Sequence, residues 1–331
     1  MLHAITRVSL MPLLELDRIV MEFDIGSFGR KKKVRAVDNV SLSIDKGLIY
    51  GLVGESGSGK STLGRVTLRL YKPVSGRVLF DGQDITGLPE SKLRPLRRRM
   101  QLIPQDPYGA VNPVQTIGEA LSEPLIVHYG LETREAMEQV KAMLENVGLT
   151  PAEDFISRRP FNLSGGQLQR AVIARAMLLK PEYIVADEPT SNLDASIRAS
   201  IVKLLLDFKE KYNQSLLFIT HDIVLLSLIA DRIGVMYLAQ LVEEGPSDEV
   251  IKNPLHPYTR ALLSAIPLVS QELGFEKIIL KGEIGDPANP PTGCRLHPRC
   301  PYASQKCAKE EPPFIELAAG RKVKCWLYAS G

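Results

Sequence analysis

The residues Gly54, Glu55, Ser56, Gly57, Ser58, Gly59, Lys60 and Ser61 fit the pattern G-x-x-x-x-G-K-[ST] and follow the apolar run LIYGLV. Each type has a physical job. Glycines let the backbone wrap an anion so that amide N–H groups point inward. A helix that starts at the end of the loop presents its positive pole to the same anion. Lys60 supplies a point charge to the outer phosphates. The hydroxyl of Ser61, with Thr62 beside it, is placed for Mg²⁺. An apolar strand before the loop and helical sequence after it set this segment apart from a chance glycine-rich turn.

Three further segments end in residues that suit work on a phosphate. YIVADEP is a β-type run closing on Asp187 and Glu188. Such a carboxylate pair is by itself commonly a surface cap. Beside a phosphate loop, Asp187 can hold Mg²⁺ directly or through water, and Glu188 can orient or deprotonate an attacking water. SLLFIT is followed by His221. A lone histidine is commonly structural, but a strand lying beside YIVAD would bring this imidazole to the terminal phosphate. Gln105 follows the β-type run MQLI, and its amide can reach Mg²⁺ or the attacking water.

FNLSGGQLQRAVIARAMLLKP reads as a capped helix closed by Pro181. Ser164 and Gln167 have the spacing of a capping box, with the serine oxygen free to accept from the Gln167 amide. The ordinary reading is a helix start. Gly165 and Gly166 argue for more, because a glycine costs about 1 kcal/mol in a helix interior. Glycines at this end bare backbone N–H groups and make a second anion site.

The chain has four cysteines, Cys294, Cys300, Cys307 and Cys325, spaced C-x5-C-x6-C-x17-C. Clustering of this kind points to a local site. Four thiolates can bind zinc or an iron–sulfur cluster, and free thiols or disulfides are the other readings. Zinc ribbons usually use C-x2-C knuckles, which are absent, and the wider spacing leaves room for a larger cluster.

These residues need elements to position them. Hydrophobic residues make up 44% and charged residues 24% of 331, values ordinary for a globular protein with a sizeable core. A net charge of +3 does not call for a nucleic-acid partner. The longest apolar stretch is broken by His221, Asp222, Asp231 and Arg232, so no membrane-spanning helix is expected. Residues 1–12 read as a tail rather than a signal peptide. From 13 to about 88, short β-type runs alternate with turns, and GRKKKVR reads as a solvated hairpin loop. Helical sequence dominates from 89 to 160, continuing to about 180. Strands then alternate with helices, which implies an α/β core with parallel strands. Proline and glycine gather between 282 and 293, as at a boundary. The division expected is a tail at 1–12, a nucleotide-binding domain at 13–267 with a helical subdomain at about 89–180, and a cysteine-bearing extension at 268–331.

LSGGQ, together with the phosphate loop, the strand ending in Asp187-Glu188 and the strand-end His221, resembles the ATPase family of ABC transporters. The resemblance implies an α/β fold in which a P-loop NTPase core carries an antiparallel β subdomain and a helical subdomain. It also implies that two such chains pair head to tail, each ATP lying between one chain's phosphate loop and the other's LSGGQ. Ser164, Gly165, Gly166 and Gln167 then contact the ATP held by the partner. Asp194 in SNLD matches the family's loop across the dimer interface, where the commoner text is SALD and Asn192 is a departure. The adenine-stacking aromatic falls on Phe23, with Phe28 second.

VGESGSGKST, IPQDPYGAVNP, TIGEALSEPL and NPLHPYTRALLSAIP narrow the resemblance to the ATPase subunits of dipeptide and oligopeptide importers, some of whose relatives carry oligosaccharides. GEIGDPANPPTGCRLHPRCPYASQKC resembles their C-terminal extension and implies a [4Fe–4S] cluster on the four cysteines, zinc being the alternative. The implied partners are a second ATPase chain, two membrane-spanning permease subunits and, indirectly, an extracellular substrate-binding protein. The second ATPase chain would be a related but distinct one, with a homodimer as the alternative. The implied place is the cytoplasmic face of the membrane. The segment after Gln105, through Tyr108 and Asn112, is expected to touch the permeases. A soluble ABC ATPase of DNA repair or translation is a rival, disfavoured by the single ATPase domain and the lack of long heptads. A regulatory, non-hydrolysing subunit is a second, disfavoured by intact Lys60, Asp187, Glu188 and His221.

Overall fold

The computed structural model describes residues 11–26, 32–191, 193–266, 277–283, 285–317 and 320–329. The first unit is a four-stranded antiparallel sheet. It contains β1 (Leu14–Ile25), β2 (Lys32–Ile44), β4 (Ser75–Phe80) and β5 (Gln83–Asp84), in the order β2-β1-β4-β5. Apolar and polar residues alternate from Leu14 to Asp17, and after an irregularity at Arg18 (φ 48°) the buried Ile19 and Met21 return to the inner face. Residues 27–31 of the basic hairpin, with Phe28, lie outside the described residues.

Between these strands the chain runs through β3 (Ile49–Val53) into α1 (Lys60–Thr67). After α2 (Glu90–Arg97) and β6 (Met100–Ile103) comes a helical layer of α3 (Ile117–Tyr129), α4 (Thr133–Asn146), α5 (Glu153–Ile156) and α6 (Gly165–Met177). Strand β7 (Tyr183–Asp187), helix α7 (Ala195–Tyr212), strand β8 (Ser215–Ile219), helix α8 (Ile223–Ile229) and strands β9 (Arg232–Tyr237) and β10 (Gln240–Pro246) return the chain to the core. Helices α9 (Ser247–Lys252) and α10 (Pro257–Ser264) follow, then α11 (Gln305–Lys309), β11 (Ile315–Leu317) and β12 (Arg321–Val323).

The main sheet has eight strands in the order β11-β12-β10-β9-β3-β8-β7-β6. Strands β9, β3, β8, β7 and β6 pair in parallel. IYGLV, YIVAD and SLLFI are buried at every position, as strands covered on both faces must be. Gly64 lets α1 settle onto this sheet, because a Cβ there would lie 2.8 Å from Ile219 and 2.9 Å from Val185. The adjacent strands β3, β8 and β7 therefore end together under the start of α1. Such a cleft beyond the carboxyl ends of parallel strands is where open α/β sheets take ligands.

Two features differ from the sequence division. Strand β6 lies inside the stretch assigned to the helical subdomain, because MQLI pairs with β7 and closes the edge of the main sheet. The extension also joins this sheet instead of standing apart. Strand β10 brings Glu243 and Glu244 into the interior, each at most 1% exposed. Strand β12 lies against them, with Arg321 bonded to Glu243 at 3.1 Å and Lys322 3.9 Å from Glu244. Arg232 meets Glu244 at 3.1 Å, so the extension and β9 together supply the cations that two buried carboxylates require.

Candidate nucleotide site

The phosphate loop needs glycine where the backbone is both left-handed and crowded. Gly54 has φ 157°, and a Cβ on it would lie 2.2 Å from the Met236 carbonyl oxygen. Gly59 has φ 100°, with the Ala36 carbonyl oxygen 2.1 Å from the same imaginary atom. No other residue fits either position. The loop then passes into α1, whose first residue is Lys60.

Lys60 is 5% exposed, and its ammonium donates to the carbonyls of Gly54 at 2.7 Å and Glu55 at 3.0 Å. Burial pulls its pKa down, while Glu188, Asp187 and Glu55 oppose that pull. The Ser61 hydroxyl donates to Asp187 at 2.7 Å. Burial pushes the Asp187 carboxyl up, against the Ser61 bond and the nearby Arg65. A hydroxyl and a carboxylate held together at the foot of the loop are the oxygen ligands that Mg²⁺ takes, so these residues fit the ion.

Glu188 follows β7 with φ 47°, a strained left-handed conformation held by its amide bond to the Ile219 carbonyl at 2.9 Å. Its carboxylate accepts from the Ser191 hydroxyl at 2.7 Å and the Gln105 amide at 3.3 Å, and lies 3.5 Å from Nδ1 of His221. His221 is well exposed. Ser56, Gly57, Gly59, Lys60, Ser61, Thr62, Gln105, Glu188 and His221 surround one cavity of about 510 Å³. Gly54, Ser58 and Asp187 are buried and do not line it.

Sequence reasoning missed two members of this site. Ala36 on β2 lines the cavity, and nothing about an alanine in a strand announces it. Ser191 holds Glu188, and its signal was a hydroxyl three residues after the carboxylate, on the turn whose amide bonds back to the Glu188 carbonyl.

The other expected residues lie elsewhere. Ser164 caps α6 by accepting from the Gln167 amide, with the reciprocal side-chain bond also made, so the capping box is present. Gly166 packs against α7, where an added Cβ would lie 2.9 Å from Ile197. Asp194 stands at the start of α7 with no side-chain cap bond. None of Ser164, Gly165, Gly166, Gln167 and Asp194 lines the cavity of the same chain. Phe23 does not line it either. Its ring meets Tyr71 edge-on at 5.3 Å and is partly buried against the core below the antiparallel sheet, the ordinary fate of a strand phenylalanine.

The four cysteines are free and line one cavity of about 100 Å³ with His256 and His297. Burial raises the thiols of Cys294, to about 11, and of Cys300 and Cys325. Among the described residues no three of His, Cys, Asp or Glu are drawn in tightly enough to hold a single ion. Four sulfur donors around a common space are soft ligands, and their chemistry suits a thiophilic group.

Comparison with known proteins agrees with this geometry. The family described as ABC transporter matches residues 37–191, and the oligopeptide/dipeptide transporter C-terminal region matches residues 242–307. The chain is 47% identical over 323 residues to the oligopeptide transport ATP-binding protein AppF of Bacillus subtilis (strain 168), covering 96% of this chain and 98% of that one. It is 42% identical to the di/tripeptide transport ATP-binding protein DppF of Pseudomonas aeruginosa (strain UCBPP-PA14), covering 92% and 93%. Among solved structures it is similar to an ATP-binding cassette in a dimeric post-hydrolysis state bound to ADP and Pi. That likeness has a TM-score of 0.64 at 30% identity and covers 71% of this chain and 98% of the other. The chain is an ATPase that belongs to the ATP-binding subunits of the ABC transporter family, in its oligopeptide/dipeptide branch.

Proposed function

We propose that this chain binds MgATP and hydrolyses it to drive an importer of peptides or oligosaccharides from the cytoplasmic face of the membrane. The observation that carries this reading is the arrangement around Glu188. Its carboxylate faces the phosphate cavity, braced by Ser191 and flanked by Gln105 and His221.

In this reading the phosphate loop binds the β- and γ-phosphates through its amides. Lys60 leaves the Gly54 and Glu55 carbonyls for the phosphate oxygens. Ser61 and Asp187 would hold Mg²⁺, which when bound would neutralise charge on the phosphates. Glu188 takes the proton from water as its oxygen attacks the γ-phosphorus and the bond to the β–γ bridging oxygen breaks. His221 and Gln105 fix the water and the γ-phosphate between them. Ser164, Gly165, Gly166 and Gln167 lie away from this cavity, which supports a dimer in which each chain completes the other's site across the loop of Asp194. A distinct paralogous chain is the partner favoured, with a second copy as the alternative.

The permease contact is read from a surface pair. Tyr108, just past Gln105, stacks on Phe161, two residues before the LSGGQ segment, at 5.9 Å and 22°. Both are exposed, Phe161 by 72%. No helix among the described residues is long and apolar enough to cross a membrane, so two permease chains would supply the path, with an extracellular binding protein delivering cargo. The thiol pocket is assigned a [4Fe–4S] cluster, zinc being the alternative; its work would be to clip the extension together. Anaerobic purification should yield iron and acid-labile sulfide in equal amounts, and zinc without sulfide would reverse that assignment.

The test of the ATPase reading is Mg²⁺-dependent release of phosphate from ATP by the chain with its partner. Lys60→Ala should lose ATP affinity about tenfold or more, since hydrogen bonds to a charged group contribute about 1.5–3 kcal/mol. Unchanged affinity in that variant would remove Lys60 from the site.

A further inference from the structure

Glu55 is the first variable residue of the phosphate loop, and every polar group it has is taken. Its carbonyl accepts from Lys60 at 3.0 Å. Its amide donates to the Tyr258 hydroxyl at 2.9 Å, and its carboxylate accepts from Arg299 at 3.1 Å. The last two partners come from the C-terminal part of the chain, more than 200 positions away. Arg299 is largely buried, at 11% exposure, and a second bond from its guanidinium reaches the Tyr237 hydroxyl at 3.4 Å. The Tyr237 ring rests on that of Tyr258, with centroids 4.7 Å apart. A closed set of Arg299, Tyr237 and Tyr258 thus grips the start of the loop.

The grip reaches the far side of the loop as well. Ala239, just past Tyr237, donates its amide to the Ser58 carbonyl at 2.9 Å. Arg295 bonds to the Leu238 carbonyl and to Asp38, fixing the same short turn. Both arginines are chain neighbours of thiols, Arg295 following Cys294 and Arg299 preceding Cys300. The thiol pocket and the phosphate loop therefore share their anchors.

We infer that Arg299 is a positioning residue for ATP binding. Through Glu55 it holds the loop carbonyls on which the Lys60 ammonium waits, and with them the spacing of the loop amides. Glu55 does not line the phosphate cavity, so Arg299 acts on the nucleotide only through the loop. This rests on the ATPase reading above and adds the extension to the machinery that sets nucleotide affinity.

The test is the affinity of the full chain for a fluorescent ATP analogue, with KM and kcat for ATP measured beside it with the partner chain. Loss of one charged bond that acts through the loop should raise Kd and KM about five- to tenfold in Arg299→Ala, leaving kcat within about twofold. Arg299→Lys should restore part of the affinity. Glu55→Gln should resemble Arg299→Ala, and the double variant should be no weaker than either single one, because both remove the same contact. Arg299→Ala with wild-type Kd, or single effects that add fully, would overturn the inference. If Arg299→Ala does not fold, Arg299→Lys and Glu55→Gln decide in the same way. A wild-type chain that binds no ATP would instead sink the ATPase reading itself.

Discussion

At the residue scale, the site depends on a few atoms that tolerate no substitute. Gly59→Ala would force a Cβ toward the Ala36 carbonyl at a φ of 100°. ATP binding should disappear while the circular dichroism of the folded chain stays near wild type; retained binding would mean that the loop can shift. Ser191→Ala removes the 2.7 Å brace on Glu188. It should lower kcat several-fold with little change in KM, since the brace orients the carboxylate and leaves the phosphates untouched. The phosphate loop, Asp187-Glu188 and the capping box of Ser164 with Gln167 were legible in the sequence, because each chemistry demands particular residue types at fixed spacing. Ala36 and Ser191 were not, because their roles come from where the backbone puts them. Phe23, expected to stack on adenine, meets Tyr71 edge-on at 5.3 Å, and its part in adenine binding stands as a proposal.

At the element scale, parallel strands buried on both faces carry Asp187 and Glu188 to the cleft. The antiparallel sheet must be held in register with them. Asp81, in the turn after β4, does part of this by accepting from Lys46 at 2.7 Å and Arg99 at 2.8 Å, while Arg99 also holds Glu182 before β7. The bonds from Lys46 and Arg99 hold the Asp81 carboxyl below its usual range. Its folded-state value is depressed, so the stabilisation is present above the unfolded value near 3.8 and is lost as pH falls through the depressed one. Asp81→Asn, which suits the left-handed backbone there, should lower stability at pH 7 by about 1 kcal/mol or less, given the solvent exposure of the pair. The gap from wild type should close in acid. A gap that persists under acid denaturation would mean that the charge is not its source. The alternation of β1 and the solid apolar runs of β3, β7 and β8 made these elements readable. The joining of β12 to β10 was not readable, because RKV carries no alternation and its pairing answers to Glu243 and Glu244, some 80 positions earlier.

At the scale of the whole molecule, the proposed dimer would divide each ATP site between two chains. The phosphate cavity lies at the end of β3, while the LSGGQ helix end and the stacked Tyr108–Phe161 pair face elsewhere. On the proposed reading, function would belong to an assembly. Phe161→Ser should leave ATP affinity of the purified chain unchanged and lower the stimulation of hydrolysis by cargo-loaded transporter, as loss of an aromatic anchor at a docking surface would. Unchanged stimulation would move the permease contact away from this pair. The cysteine extension was legible as a local thiol site, but its anchoring to the phosphate loop through Arg299 was not, since no spacing rule connects Glu55 with Arg299.

The measurement that bears most directly on the composite ATP site is hydrolysis and ATP-dependent dimerisation of wild type and Glu188→Gln, the chain being taken with its partner. Glu188→Gln should retain ATP binding, lose about 10²-fold or more in kcat and accumulate as an ATP-bound dimer on size exclusion. A Glu188→Gln variant that turns over at the wild-type rate, or one that binds ATP and stays monomeric, would contradict a site closed by two chains around a catalytic Glu188.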